Sequence, residues 1–318
     1  MVVDQQQVHE RPTGGLRVVI TGAAGFIGRA VVARIERGAL GAVAKLRLND
    51  VQAFEHPDAE VVRGSYADAG VRDRLVEGGI NVLFHLASLP GGAATLDPAL
   101  GKTVNLDGSM ALLDVVCGAT AAVVVYASSI AALGIASQPV SDATALRPAG
   151  SYGTHKAMIE LYLADLTRRA LIDGRSVRPA GIVARPRDAY AGFATAWMSE
   201  LFHAAVERRD ITIPARAAAQ VWLQSIDTVA DNIIHAALMP AHSLQPQRAW
   251  TLPATVVRIE SLVEALGRRT GHALRIEYGN GPMNQPSLDA SAALGLGFMS
   301  DGNTDALVNA VVSRLEAE

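Results

Sequence analysis

The sequence predicts an α/β fold in which a doubly wound parallel sheet is followed by a smaller C-terminal lobe. Two observations support this prediction: short apolar runs alternate with amphipathic helical stretches up to Val183, and the alternation breaks after Arg185. Strands that alternate with helices form parallel sheets through right-handed crossovers. The run Ala122–Tyr126 is apolar on both faces, as a strand covered by helices on each side requires.

The elements of the sheet follow in chain order. Strands are expected at Leu16–Thr21, Lys45–Asn49, Glu60–Arg63, Asn81–Leu86, Ala121–Ala127 and Ser176–Val183. Helices are expected at Phe26–Arg37, Asp68–Glu77, Pro98–Cys117 and Ser151–Leu171, with Gly38 and Gly78 closing the first two. Glycine is favoured just beyond a helix because it enters the left-handed region without strain.

Composition narrows the classes of function. The 318 residues are 50% hydrophobic and 19% charged, with a net charge of −3. This balance predicts no nucleic-acid or membrane partner, and no apolar run reaches the roughly 18 residues of a membrane span. Cys117 is the single cysteine and the histidines have no ligand spacing, so neither a disulfide nor a metal site is predicted. We predict a cytoplasmic protein.

A glycine turn follows the first strand. Thr21 runs into Gly22-Ala-Ala-Gly25-Phe26-Ile27-Gly28, which continues as a helix. Glycines at this spacing allow a tight turn and let a pyrophosphate approach the helix N-terminus. The strand, turn and helix together indicate a dinucleotide-binding Rossmann unit, since glycine count alone is weak evidence.

Asp50 ends the second predicted strand. A carboxylate at that position can accept hydrogen bonds from both adenosine ribose hydroxyls and repel a 2′-phosphate, which favours NAD over NADP. The alternative, that Asp50 is only a turn residue at the strand end, stays open.

Tyr152 and Lys156 lie one helical turn apart in Ser151-Tyr-Gly-Thr-His-Lys156. A cation beside a phenol favours the phenolate and lowers its pKa from about 10, so Lys156 is expected to activate Tyr152 as a general acid/base. Ser129 is expected to donate a hydrogen bond to the reacting oxygen, with Ser128 as the competing assignment.

Three further motifs converge on the same crevice. His85-Leu86-Ala87-Ser88 and Tyr126-Ala-Ser-Ser129 leave neighbouring strands, and Val104-Asn105-Leu-Asp-Gly108 occupies a helical stretch facing them. His85 is expected to pack at its strand end rather than act as a base. The glycine-rich stretch Leu89–Thr95 is expected to be either a lid or a plain surface loop.

These motifs, in this order from Leu16 to about Asp231, resemble the extended short-chain dehydrogenases/reductases, the NAD-dependent epimerase/dehydratase family. The resemblance implies an NAD cofactor and assigns catalysis to Ser129, Tyr152 and Lys156. The cofactor-binding residues it implies are Gly22, Gly25, Phe26, Ile27, Gly28, Asp50, Ser65, Tyr66, Leu86, Ala87, Ser88, Asn105, Tyr152, Lys156, Pro179 and Ile182. Ser65 departs from the family, which usually has an aspartate there.

Two other departures bear on the substrate. Many nucleotide-sugar members have asparagine where this chain has Gly181, and a Gly-Asp-Gly turn is missing from the segment Ile213–Ser225. The chain is more similar to the D-erythronate dehydrogenase-like branch, which implies oxidation of a small polyhydroxy acid. The alternatives kept open are a nucleotide-sugar epimerase or dehydratase and a non-catalytic dinucleotide sensor.

The substrate residues expected for a sugar acid are Ser88, Ser129, Gly181 and Arg185. One arginine should hold the substrate carboxylate through two hydrogen bonds. Arg187 and Arg216 are further candidates, and a solvated surface role is open for each of the three arginines. The helices Pro98–Cys117 and Ser151–Leu171 often pair across a two-fold axis in the resembled family, which implies a homodimer.

The expected domain organisation follows from these motifs. Residues 1–14 are predicted to be a disordered tail, residues 15–184 the NAD-binding Rossmann domain and residues 185–318 the substrate-binding lobe. A segment at about 220–238 is expected to pack back on the Rossmann domain.

Overall fold

The computed structural model describes residues 14–119, 122–134, 139–187, 195–241, 244 and 248–318. The tail predicted for residues 1–14 therefore lies outside the described residues, except for Gly14. The strands are β1 Leu16–Thr21, β2 Val43–Asp50, β3 Glu60–Arg63, β4 Val82–His85, β5 Val123–Ala127, β6 Asp173–Arg178, β7 Gly181–Val183, β8 Ile211–Ala215, β9 Gln220–Ser225, β10 Ala249–Thr251, β11 Thr255–Arg258 and β12 Ile276–Gly281.

The helices complete the described elements. They are α1 Phe26–Glu36, α2 Ala69–Val76, α3 Gly91–Leu96, α4 Pro98–Lys102, α5 Ser109–Ala119, α6 Ser151–Arg168, α7 Ala196–Glu207, α8 Ile226–Leu238, α9 Ile259–Thr270, α10 Ser291–Gly295 and α11 Thr304–Ala317. A π-helical turn at Thr103–Gly108 joins α4 to α5, and a 3₁₀ turn at Ile130–Ala132 follows β5. Among the described residues, none of these helices combines the length and the apolar character needed to cross a membrane.

The main sheet is parallel throughout and doubly wound. Its described strands run in the order β10-β6-β5-β4-β1-β2-β3. Neighbouring residues of β1 point to opposite faces: Val18 and Ile20 pack with α1 and α8, whereas Val19 packs with α2, α5 and α6. The predicted α/β fold class is confirmed, because both faces of the sheet are covered by helices.

The C-terminal part has a hydrophobic core of its own. Helices α7, α9 and α11 pack there around the small sheets β11-β9-β7 and β12-β8. Two of its segments return to the main sheet: α8 packs on α1, and β10 pairs with β6 as the edge strand. The sequence singled out the first of these segments but not β10.

The strand predicted at Ser176–Val183 is wrong as a single element. It is divided at Pro179 into β6, which stays in the main sheet, and β7, which pairs with β9 in the second sheet. Proline has no amide hydrogen to donate to a sheet. The next amide, that of Ala180, donates instead to the Gln224 side chain at 2.8 Å, which draws the chain toward β9.

Candidate active site

The glycine turn between β1 and α1 packs too closely to admit side chains. Gly22 has a φ of +75°, and a Cβ there would lie 2.8 Å from the Cα of Ala87. A Cβ on Gly28 would lie 2.0 Å from the Gly22 carbonyl oxygen. Gly25 is the N-cap of α1, and the first turn of that helix carries no acidic side chain. The N-terminus of α1, including the amides of Phe26 and Ile27, is therefore electrostatically suited to a phosphate group.

Asp50 lies beside this turn, half-buried at the end of β2. Its Oδ2 accepts a hydrogen bond of 3.0 Å from the amide of Ala24, within the glycine turn. Its Oδ1 accepts one of 3.0 Å from the amide of Gln52. Asp50 thus closes a local turn, the role that the sequence left open, and also joins β2 to the glycine turn.

The two residues that follow β3 and Gly64 have different roles. The Ser65 hydroxyl accepts a hydrogen bond from the amide of Ala67 at 3.2 Å and stays half-buried. Tyr66 is buried, and its hydroxyl donates to the carbonyl oxygen of Val104 at 2.8 Å. Burial raises the pKa of Tyr66 to about 12. Any cofactor contact of Tyr66 would therefore come from its backbone.

Asn105 holds the loop that follows β4. Its Oδ1 accepts a hydrogen bond from the amide of Leu89 at 2.6 Å, and its Nδ2 donates to the Leu89 carbonyl at 2.9 Å. Asn105 lies in the π-helical turn, a feature that the continuous helix predicted at Pro98–Cys117 did not include. Such turns recur at functional sites because they redirect side chains. The loop so fixed contains Leu86, Ala87 and Ser88.

The Tyr152 side chain faces three polar groups at the start of α6. Burial raises the pKa of its phenol, while a hydrogen bond with Ser88, the charge of Arg185 and a hydrogen bond with Ser129 lower it. The sequence predicted that Lys156 would lower this pKa. In the structure burial outweighs the lowering contacts, Arg185 is one cation that lowers this pKa, and the Lys156 amine lies 5.5 Å from the centre of the Tyr152 ring.

Gly91 packs against the Tyr152 ring on another side. A Cβ at Gly91 would lie 3.6 Å from Cγ of that ring. Gly91 begins α3, so much of the stretch predicted as a loop at Leu89–Thr95 is a short helix. It forms a wall beside the tyrosine.

Lys156 is a buried residue of α6, the active-site helix. Its Nζ donates a hydrogen bond of 2.6 Å to the Ala127 carbonyl oxygen at the end of β5. The same atom lies 4.8 Å from the centre of the Tyr126 ring and 5.5 Å from that of Tyr152. Burial lowers the pKa of Lys156 to about 7, and the charge of Glu160 opposes this shift.

Ser128 and Ser129 are separated by their partners. Ser128 is buried, and its hydroxyl donates a short hydrogen bond to the Glu160 carboxylate. The Ser129 hydroxyl accepts from the amide of Ala131 at 3.1 Å, and Ser129 is one of the groups that lower the pKa of the Tyr152 phenol. The geometry therefore favours Ser129, rather than Ser128, as the serine beside the phenol.

The three candidate arginines lie in different surroundings. Arg185 is half-buried next to Tyr152, and its guanidinium carbon lies 6.0 Å from the centre of the Phe26 ring. Arg187 forms exposed ion pairs with Glu200 and Glu207. Arg216 is exposed between β8 and β9. Of the three, Arg185 alone combines partial burial with proximity to the phenol.

Pro179, Gly181 and Ile182 line the break between β6 and β7. The Pro179 carbonyl accepts a hydrogen bond from the amide of Ile130 at 3.3 Å, and Ile182 is buried. A Cβ at Gly181 would lie 2.9 Å from the backbone oxygen of Trp222. The asparagine found here in many nucleotide-sugar members would therefore displace β9.

His85 is a buried structural residue, in agreement with the sequence prediction. Its Nδ1 lies 2.7 Å from the Thr21 hydroxyl, and its Nε2 lies 2.9 Å from that of Ser109. Burial, followed by the charge of Lys156, lowers the pKa of His85 to about 3. Within the described part of the chain, no three or more histidine, cysteine or acidic side chains gather as metal ligands would.

Comparison with known proteins identifies the family. The model of the NAD-dependent epimerase/dehydratase family matches residues 18–250. The chain belongs to this family. It is therefore an enzyme that uses NAD, as the glycine turn predicted.

Individual relatives cover nearly the whole chain. The D-erythronate dehydrogenase of Cupriavidus necator is 32% identical and aligns with 93% of this chain and 97% of its own length. That of Haemophilus influenzae is 30% identical over 91% of this chain and 96% of its own. The crystal structure of a nucleoside-diphosphate-sugar epimerase from Agrobacterium tumefaciens superposes with a TM-score of 0.88, at 28% identity and 95% coverage of both chains.

The residues of this epimerase/dehydratase family member fit NAD. The glycine turn is a cradle that a side chain would fill, since a Cβ on Gly28 would overlap Gly22. Asp50 offers the ribose a carboxylate at the edge of that cradle. No described basic side chain forms an ion pair with Asp50, which leaves its negative charge to disfavour a 2′-phosphate.

Sequence reasoning missed one buried cluster behind the site. Glu160 accepts hydrogen bonds from the Arg178 guanidinium at 2.6, 2.9 and 3.1 Å, and both side chains are 3% exposed. The available signal was the glutamate one helical turn after Lys156. Its partner could not be inferred, because Arg178 lies on a different strand.

Proposed function

We propose that this chain oxidises a secondary alcohol of a small sugar acid such as D-erythronate, with NAD as cofactor and Tyr152 as the general acid/base. The observation that carries the proposal is the Tyr152 phenol, which has the Lys156 amine 5.5 Å from its ring centre and a pKa that Ser88, Arg185 and Ser129 lower. This site combines a phenol that can exchange a proton with an alcohol and an arginine that can bind a carboxylate. The two D-erythronate dehydrogenases that align over more than nine-tenths of the chain support the same substrate class.

The proton is handled by the chain itself. Bound NAD supplies the acceptor for the hydride that leaves the carbinol carbon. Ser129 donates a hydrogen bond to the substrate oxygen, and Tyr152 removes the hydroxyl proton as the carbonyl forms. Arg185 and the two serines stabilise the phenolate that this step requires. Lys156, which Ala127 holds in place, provides positive charge beneath the phenol and donors for the nicotinamide ribose.

Arg185 is the proposed partner of the substrate carboxylate. Its guanidinium carbon lies 6.0 Å from the centre of the Phe26 ring, and its charge lowers the pKa of the Tyr152 phenol. Burial lowers the pKa of Arg185, with the phenol opposing this effect, so a bound carboxylate would compensate a partly desolvated cation. Arg185 would therefore favour a substrate that has a carboxylate over a neutral polyol.

Gly181 argues against a nucleotide sugar. Members of the family that act on such substrates often place an asparagine at this position, and in this chain the backbone of Trp222 occupies the space. Activity as a nucleotide-sugar epimerase or dehydratase is therefore the alternative that an assay with sugar acids and sugar nucleotides should distinguish.

We also propose a homodimer formed by α3, α4 and α6. Four large apolar side chains are exposed there: Leu96, Leu100, Met158 and Leu161, of which Leu96 is 86% exposed. Exposed apolar groups on adjacent helices favour a second copy of the chain. Sedimentation velocity would detect the dimer, and Leu161→Glu should shift it to monomer.

A cytoplasmic location stays a prediction of the sequence.

The function is tested by NADH formation across C4 to C6 sugar acids. We expect turnover with a four-carbon aldonate, and Tyr152→Phe should reduce kcat by about 10²–10⁴-fold because the proton acceptor is lost. Tyr162→Phe is the matched control, because that tyrosine lies on the same helix but hydrogen-bonds to Asp114. Absence of turnover with every acid, together with thermal stabilisation by UDP- or dTDP-sugars, would favour the epimerase or dehydratase alternative.

A further inference from the structure

Glu160 belongs to the same face of α6 as Tyr152 and Lys156. The three residues are spaced by one helical turn each. Glu160 is 4% exposed, and Oε1 and Oε2 both accept hydrogen bonds from Arg178. A carboxylate so enclosed keeps a fixed position relative to the lysine one turn before it.

Successive groups at the end of β5 hold these three helical positions. The carbonyl oxygen of Ala127 accepts from Lys156, the hydroxyl of Ser128 donates to Glu160, and Ser129 is among the groups that lower the pKa of the Tyr152 phenol. Three successive residues at the end of β5 therefore face three successive turns of α6. Glu160 is part of this arrangement rather than a separate surface feature.

The charged and titratable groups around Lys156 come from four elements. Tyr126 of β5 lies beneath the amine, and His85 of β4 is close enough to interact with it. Tyr152 and Glu160 belong to α6 itself, and Arg178 of β6 pairs with Glu160. Glu160 is the anion that opposes the effect of burial on the amine.

Arg178 has a second carboxyl group nearby, that of Asp142, whose pKa burial raises and the charge of Arg178 lowers. Asp142, whose Oδ1 accepts from the amide of Thr251 at 2.6 Å, also interacts with Arg178. The charges therefore alternate from Lys156 through Glu160 and Arg178 to Asp142. In such a row each ion is stabilised by its neighbours.

We propose that Glu160 is a positioning residue whose negative charge, held by Arg178 and Ser128, keeps the buried Lys156 protonated beside Tyr152. The proposal deepens the proposed function and rests on it for the roles of Tyr152 and Lys156. A neutral Lys156 would supply no charge to the phenolate and one donor fewer to the cofactor ribose. Glu160 thus sets the upper pH limit of the active form without touching substrate.

The first measurement needs neither substrate nor NAD. The folded pKa of Lys156 lies below its unfolded value of about 10.4, so the wild type gains stability relative to Lys156→Met as the pH rises above about 7. Chemical unfolding across pH gives this difference. In the Glu160→Gln background the gain should begin about one unit lower, since a nearby opposite charge shifts a pKa by about one unit or more. An onset at an unchanged pH would overturn the proposal.

The second measurement is the pH profile of kcat/KM with the sugar acid that the wild type turns over. Glu160→Gln should move the alkaline limb down by about one unit. The double variant Glu160→Gln/Arg178→Met removes the buried arginine that the single variant leaves with less compensation, and its limb should also stay below that of the wild type. Full return of the wild-type limb in the double variant would mean that Glu160 serves only Arg178, and would overturn the proposal.

The two measurements separate the proposal from the function on which it rests. A shifted stability onset without turnover of any sugar acid would support the effect of Glu160 on Lys156 and reject the proposed substrate class. Turnover with coincident stability onsets in the wild-type and Glu160→Gln backgrounds would keep the substrate class and reject the role of Glu160.

Discussion

The amine of Lys156 donates a hydrogen bond of 2.6 Å to the carbonyl oxygen of Ala127, so the active-site helix is bound directly to the end of β5. Of the next two residues, Ser128 donates a hydrogen bond to Glu160 of the same helix, and Ser129 is among the groups that lower the pKa of Tyr152. Adjacent serines consequently have different partners, and substitutions at the two positions should have different effects.

Ser129→Ala should impair catalysis, whereas Ser128→Ala should impair stability. The first variant removes a donor to the reacting oxygen, which should lower kcat by about 10²-fold with the melting temperature nearly unchanged. The second removes a hydrogen bond to the Glu160 carboxylate, which should lower the free energy of unfolding by about 1.5–3 kcal/mol. Steady-state kinetics and chemical unfolding distinguish them. Equal kinetic losses in both variants would contradict the assignment.

Gly28→Ala should disrupt the glycine turn. The new Cβ would lie 2.0 Å from the Gly22 carbonyl oxygen, and overpacking of this kind typically costs about 1–3 kcal/mol of unfolding free energy. Stabilisation by NAD in a thermal-shift assay should be lost with it. The control is Gly70→Ala in α2, where no atom lies within 4 Å of the new Cβ. That variant should gain about 0.4–1 kcal/mol. Retained NAD stabilisation in Gly28→Ala would argue against the predicted pyrophosphate site.

Arg185→Met should weaken recognition of the acid. Truncating one partner of a buried charge pair costs about 2 kcal/mol or more, which corresponds to at least about a 30-fold loss in kcat/KM for the sugar acid. The uncharged polyol of the same length should lose less, because both substrates need the phenolate that Arg185 stabilises but only the acid has a carboxylate for Arg185 to bind. Arg187→Met, which removes exposed ion pairs with Glu200 and Glu207, should leave both rates unchanged. An unaltered kcat/KM for the acid in Arg185→Met would exclude Arg185 as the carboxylate partner.

His85 should make the protein sensitive to acid. Its pKa in the folded chain is lowered by burial to about 3, below the unfolded value of about 6.5, so the unfolded state binds the proton first as the pH falls. Its contribution to stability is therefore complete above about pH 6.5 and declines between about pH 6.5 and 3. Relative to His85→Gln, the wild type should lose about 1.4 kcal/mol per pH unit in that window. Chemical unfolding at several pH values measures this slope, with His272→Gln as the control; parallel curves for wild type and His85→Gln would refute it.

The alternation of strands and helices from β1 to α6 followed from the sequence, and so did the glycine turn and the spacing of Tyr152 and Lys156 by one helical turn. These features are local: hydrophobic periodicity specifies an element, and spacings of three or four residues place side chains on one face. The boundaries of the first helix agree with the structure to within about two residues, since Phe26–Arg37 was predicted and Phe26–Glu36 is observed. The break at Pro179 was missed because it depends on Gln224, which is distant along the chain.

The sequence by itself therefore determined the fold class and the cofactor, and it proposed Ser129, Tyr152 and Lys156 as the catalytic residues. Only the tertiary structure decided which of Ser128 and Ser129 reaches the phenol, which arginine lies beside it, and that Glu160 and Arg178 form a buried pair behind Lys156. The physical reason is the range of the interactions. Burial, charge and hydrogen-bond partners at these positions are set by elements that meet only when β5, β6 and α6 pack together.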